Sequence, residues 1–181
     1  MNLLAAHRAL RSLSADARLV ADVQARRGAR RPALAALGDT SLWALALMRG
    51  SVALRSVVGS SCGLSTVLRM AFHIDVWTDD IGPGLRLPHP FGIVIGHGVR
   101  IGQGCTLLHN VTVQRGDGTT VGDHAVLTTG VTVLAGAHVG PGAVIGAHSV
   151  VRGAIPAGAV AVGAPARVVQ PKSMEAPCAS P

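Results

Sequence analysis

From residue 81 onward an aliphatic side chain returns about every six positions, and no other feature of the chain constrains its fold as strongly. The positions are Ile81, Leu87, Ile95, Ile101, Leu107, Val113, Val121, Leu127, Val133, Val139, Ile145 and Val151. Four residues after many of them stands a small or apolar side chain: Val99, Cys105, Val111, Ala125, Val131, Ala137, Ala143 and Ser149. Three residues after, turn formers dominate, as in Gly84, Gly98, Gly104, Asn110, Gly116, Gly130, Gly136 and Gly142. Such residues accept the left-handed backbone of a tight corner. A six-residue period of this kind is a β-solenoid signature. It predicts short parallel strands, three to a coil, with each aliphatic side chain stacked on its equivalent one coil away. Two hexads, LPHPFGIV at 87–94 and VQRGDGTT at 113–120, are two residues too long and must bulge at corners.

Composition suits such a core. Aromatics are 2% of the 181 residues against 23 glycines, so small aliphatic side chains must do the packing. The cysteines, at 62, 105 and 178, show no paired spacing, which gives neither a disulfide framework nor a zinc knuckle and points to a reducing cytoplasm. No third histidine falls at a spacing that would complete a zinc site, so no metal is expected. His and Arg interrupt the N-terminal apolar stretches, leaving no signal-peptide core, and no uncharged run reaches spanning length. A cytoplasmic protein is expected.

The formal charge is +7, with eight of the sixteen Lys and Arg before residue 50. That balance fits polyphosphate ligands or an anionic membrane surface. Nucleic acid is not expected, because the aromatics that stack bases are nearly absent. Residues 3–26 and 33–58 place Leu and Ala at helical spacing on either side of the breaker GARRP, and a third helix is expected at 64–71 after a hinge at 60–63. The organisation is therefore a helical segment (1–72), a solenoid (73–169) and a disordered tail (170–181). The helices are expected to cap the solenoid or pack on sister subunits, and their Arg-bearing faces also fit a weak membrane-surface contact.

The hexads of 81–155, of the form [LIV]-G-x-x-[small]-x, resemble the left-handed β-helix acyltransferases. Within that superfamily HPFGIVIG (89–96) resembles the active-site stretch of serine acetyltransferases and their polysaccharide-modifying relatives. AVIGAHSVVRGAIPAGAVAVGAPARVV (143–169) is similar to their closing coils. The resemblance implies a mainly-β, left-handed parallel β-helix with an N-terminal α-helical segment. It also implies a homotrimer with sites between subunits, and acetyl-CoA as co-substrate without a permanently bound cofactor. It carries the role of general base to His89. Coenzyme contacts fall to Arg152, Arg167 and Lys172 and to the backbone at Gly130, Ala147 and Gly163. Arg49 stands where short relatives place a helix Arg.

Acyl transfer to a hydroxyl needs a base for the proton and donors for the developing oxyanion, and histidine as a residue type suits the first task. The register adds an observation of its own. His89 and His109 are both third in their hexads, and Leu87 to Leu107 is three hexads plus the insertion. They are expected on successive coils with α-carbons roughly 5 Å apart. Thr129 and Ala147 continue the column. One of Asp75, Asp79 and Asp80 is expected to orient the base, with Asp75 preferred.

Where serine acetyltransferases carry an Asp before the catalytic His this chain has Pro88, and its QRGDGTT loop holds Arg115 and Asp117 but no His. His97, Arg115 and Asp117 are candidates for acceptor contacts. His124 and His148 read as corner residues and His138 as surface. An amino-acid acceptor needs charged partners for its carboxylate and ammonium, and a sugar hydroxyl does not. The expected acceptor is a sugar of a surface polysaccharide or similar metabolite. Serine, giving O-acetylserine, is the alternative, and a non-catalytic scaffold is the reading from another class.

Overall fold

The computed structural model describes residues 3–170, so Lys172, Cys178 and all but the first residue of the expected tail lie outside the described residues. Four helices precede the solenoid: α1 (Leu3–Arg26), α2 (Pro32–Leu37), α3 (Thr40–Val58) and α4 (Leu64–Phe72). The expected helix over 33–58 is thus two. Gly38 closes α2, its N–H donating to Ala35 O, and the Asp39 side chain accepts the Ser41 N–H at 2.8 Å to cap α3. An aspartate at this position satisfies an N–H that the first helical turn leaves without a partner. Gly59, at φ 79°, ends α3 in the left-handed conformation and the hinge follows. By length and composition α3 could cross a membrane, with a mean hydropathy of 1.2. Here it is a core helix, its Ala44, Leu45 and Met48 buried in the same cluster as Ile81 and Leu85 of the solenoid.

The remaining residues wind through three parallel faces. The first stacks β1 (Asp75–Val76), β2 (Val94–Ile95), β5 (Thr112–Val113), β8 (Thr132–Val133) and β11 (Val150–Val151). The second holds β3 (Arg100–Ile101), β6 (Thr120–Val121), β9 (His138–Val139) and β12 (Ala154–Ile155). The third holds β4 (Thr106–Leu107), β7 (Val126–Leu127), β10 (Val144–Ile145) and β13 (Val160–Val162), closed by β14 (Arg167–Gln170), which runs antiparallel to β13. The inward residues stack as the period requires: Ile95, Val113, Val133 and Val151 on one face, and Leu107, Leu127, Ile145 and Ala161 on another. All twelve hexad aliphatics are buried, and so are the small residues four positions on.

The corners are left-handed at Gly84, Gly98, Gly104, Gly130, Gly136 and Gly142, and also at Asn110, His124 and His148. Gly116 departs from the expectation. In the second long hexad the left-handed residue is Gly118, at φ 85°. The glycine second in a hexad has another reason, seen at Gly140, whose φ is not left-handed. A Cβ there would lie 2.5 Å from the backbone N of Ala157 one coil on, so the coils can stack only if it is absent.

A buried ion pair fastens the helices to the first coil. Arg49 of α3 donates to Asp16 of α1 at 3.0 Å and to the carbonyls of Ile81 and Gly82 at 2.7 and 2.6 Å. The other Asp16 oxygen accepts the Gly84 and Leu85 N–H groups at 2.8 and 2.9 Å. Backbone groups of a coil that has no preceding coil are thereby satisfied rather than left as an open edge. Burial pushes the Asp16 carboxyl above its usual range, against the opposing pull of Arg49 and the two amides.

Candidate functional site

His89 sits inside the first two-residue insertion. The backbone register places Phe91, not His89, opposite His109: Asn110 N donates to Phe91 O at 2.9 Å, and Gly92 faces Asn110. The expected one-to-one stacking of the two histidines is therefore corrected. The extra residues fold as a tight turn around Pro90, with Phe91 N donating to His89 O at 2.8 Å. This turn projects His89 outward from the solenoid edge while bringing its ring back against His109. The ring centroids are 5.9 Å apart and the planes meet at 77°. His89 is exposed and His109 half-buried.

The exposed face of His89 opens on a cleft of about 370 Å³ between helices and solenoid. Leu19, Val23 and Gln24 of α1 form one wall with Arg27 just past its end, joined by Asp39, the cap of α3, and Thr40 and Ser41 of its first turn. Arg86, Leu87 and Pro88 lead into His89 on the other wall. The helical residues were not legible as site residues, because the reading of a single helix over 33–58 hid the Asp-Thr-Ser cap that brings Asp39 to the cleft. Asp39 accepts from the Gln24 amide at 2.8 Å besides the Ser41 N–H. Burial acts to raise its carboxyl, but the hydrogen bonds from Ser41 and Gln24, with Arg27 nearby, outweigh that and hold it below the ordinary value.

None of the three aspartates expected to orient the base is hydrogen-bonded to His89. Asp75 pairs with Arg69 at 3.2 Å, Asp79 with Arg55 at 3.5 Å and Asp80 with Arg100 at 2.8 Å. The reason is topological: Asp75 opens the first face, and its strand neighbour is Val94.

His97 and Arg115 do come together, but at a different edge, where Trp77, Val94, Thr112 and Gln114 complete an apolar groove of about 510 Å³. Asp117 lies over Gly98 at the same corner and pairs with neither residue among the described contacts. The coenzyme candidates divide likewise. Two positions past the stacked row Leu107, Leu127, Ile145 and Ala161 come His109, Thr129, Ala147 and Gly163, so Ala147 and Gly163 extend one edge from the histidine pair, with Gly130 beside it. Gly163 is held there by its N–H to Ser149 Oγ at 3.0 Å. Arg167, opposite Val162 in the closing hairpin, is near that edge, whereas Arg152 follows β11 on the edge that carries His97 and Arg115.

No family model matches the chain. A probable acetyltransferase of Mycobacterium tuberculosis is 55% identical over 42 residues, which are 23% of this chain and 14% of that protein, so only a small part of that relative is matched. Among solved structures, Neisseria gonorrhoeae serine acetyltransferase superposes at a TM-score of 0.76 and 24% identity, covering 93% of this chain and 69% of its own. A serine acetyltransferase in complex with CoA gives 0.73 and 26% over 89% and 69%. Soybean serine acetyltransferase complexed with serine gives 0.71 and 27% over 90% and 70%. The chain has the serine acetyltransferase fold, a left-handed β-helix behind an N-terminal helical segment. It resembles the hexapeptide-repeat acyltransferases, and the likeness supports an acyltransferase that uses acetyl-CoA.

Proposed function

We propose that this chain is an acetyl-CoA-dependent O-acetyltransferase whose general base is His89. The observation that carries the reading is the position of His89, projected by its two-residue bulge into a cleft on one side and against His109 on the other. An acceptor hydroxyl in the cleft would give its proton to the imidazole as its oxygen attacks the thioester carbonyl. The tetrahedral intermediate then collapses, the carbon–sulfur bond breaks, and the departing thiolate takes the proton back from the imidazolium. His109 edge-on to His89 fixes the ring in place.

Coenzyme A would lie along the edge of Thr129, Ala147 and Gly163, whose small side chains leave the backbone approachable, with Arg167 toward its phosphates. Arg152, on the other edge, fits the same coenzyme only from a second subunit, and His97, Arg115 and Asp117 would reach the acceptor only from there as well. That division supports a homotrimer with sites between subunits. Titration of CoA by analytical ultracentrifugation and calorimetry should give one site per chain in a trimer.

For the acceptor, the cleft is lined by one carboxylate, Asp39, and each of its oxygens already accepts a hydrogen bond, from Ser41 or from Gln24. This favours a sugar or similar hydroxyl compound over serine. The test is thiol release from acetyl-CoA with serine, homoserine and a panel of sugars. His89→Ala should abolish turnover with little change in melting temperature, and His109→Ala should weaken it. Near-wild-type turnover by His89→Ala would remove the assignment, and turnover with serine alone would overturn the acceptor preference.

A further inference from the structure

We infer that the acceptor hydroxyl is carried on a phosphate-bearing molecule, whose phosphate is held by Arg27 and Arg86 at the mouth of the His89 cleft. The inference rests on the O-acetyltransferase reading above and names the acceptor's chemical class. Arg26, Arg27, Arg30 and Arg31 crowd the turn between α1 and α2, and all four are exposed. Arg27 lines the cleft from this turn, and Arg86, also exposed, lines it from the strand leading to His89. The ion pairs among the described residues engage Arg49, Arg55, Arg69 and Arg100; none of these five guanidinium groups is in ion-pair contact with a described carboxylate, though Arg27 lies near enough to Asp39 to act on its charge. The acid that lines the cleft, Asp39, is already bonded to Ser41 and Gln24.

Cations at the C-terminal end of α1 are also favoured by the helix dipole, which accounts in part for Arg26 in the last turn and for Arg27 directly after it. The dipole does not account for Arg30, Arg31 or Arg86, which lie further along the chain than its last turn reaches. Guanidinium groups match phosphate oxygens in bidentate geometry, and a patch of one sign at a cleft mouth raises the local concentration of an anionic ligand. The cleft volume falls within the range of roughly 300–1,000 Å³ that takes a small-molecule ligand, enough for a sugar with a phosphate at its rim. The phosphates of coenzyme A are a separate matter. The coenzyme edge proposed above runs from His109 toward Gly163, away from the helices that carry Arg27.

The probe is inorganic pyrophosphate, titrated by calorimetry into the full chain saturated with CoA. Wild type should bind it saturably. Arg27→Gln/Arg86→Gln should weaken it at least tenfold, while Arg8→Gln, on the exposed surface of α1, should leave it unchanged. In thiol-release assays a hexose 1-phosphate should exceed the free hexose at least tenfold in kcat/KM, and the double variant should erase the difference. Absent pyrophosphate binding, or binding undiminished in the double variant, would overturn the inference. So would flotation with phosphatidylglycerol vesicles that needs Arg27 and Arg86 but is insensitive to pyrophosphate, since the patch would then serve a lipid headgroup. Failure of the enzyme reading is distinguishable: no acceptor would then release thiol from acetyl-CoA, in wild type or in any variant, while pyrophosphate binding and its loss in the double variant remained.

Discussion

Replacing Arg49 by Met isolates the link between helices and solenoid. Asp16 has no solvent exposure, and Arg49 is 3% exposed. Removing the cation leaves a buried carboxylate without its partner and strips the donors from the Ile81 and Gly82 carbonyls. Breaking a buried pair from one side costs about 3–5 kcal/mol. For a chain of this size that is a fall in Tm of roughly 6–20 °C, at about 2–4 °C per kcal/mol. The penalty should depend on pH. The Asp16 carboxyl is already raised by burial, and Arg49 is one of the influences holding it down, so the variant raises it further.

A group raised in the folded state contributes stability that is fully present below its unfolded pKa and is lost as pH rises through the folded value. The Arg49→Met penalty should therefore shrink on acidification, by at most about 1.4 kcal/mol per pH unit. Scanning calorimetry of wild type and variant at about pH 5 and about pH 8, at one protein concentration, measures the difference. Adding Asp16→Asn to Arg49→Met should recover most of the loss at the higher pH, because Asn keeps the acceptor for Gly84 and Leu85 without a buried charge. A penalty below about 1 kcal/mol at the higher pH, or one equal at both, would refute the reasoning.

Coil stacking and thiol chemistry can be tested more simply. Gly140→Ala should lower stability by about 1–3 kcal/mol, the range for overpacking, because its Cβ meets the Ala157 backbone. Gly153→Ala, with open space around it, should stay within about 0.5 kcal/mol of wild type in denaturant titration. The buried Cys105 thiol, pushed up to about 11 by burial, should resist a disulfide reagent in the folded protein and react on denaturation, whereas the exposed Cys62 reacts at once. Reaction of both at one rate would show that the solenoid core opens under assay conditions.

The solenoid was legible in the sequence because its rule is local. Each aliphatic residue repeats the environment of the one a coil earlier, so the period fixes that Ile101, Val121 and Val139 stack, and which corners need Gly, Asn or His outside the long hexad that moved its corner from Gly116 to Gly118. The first helix and the hinge at 60–63 were legible for the same kind of reason. The split at Gly38–Asp39 was not, since an unbroken apolar pattern outweighed a two-residue cap. His89 and His109 were placed as neighbours by counting, yet how they meet was decided by the bulge around Pro90, because an insertion cancels the register that counting depends on. Asp75, Asp79 and Asp80 went to arginines because faces meet only in three dimensions. For the same reason Asp16, 68 residues from the Gly84 amide it accepts, could not be read from spacing. The repeat alone determined the scaffold. Only packing of the helices on its first coil decided what surrounds the histidine.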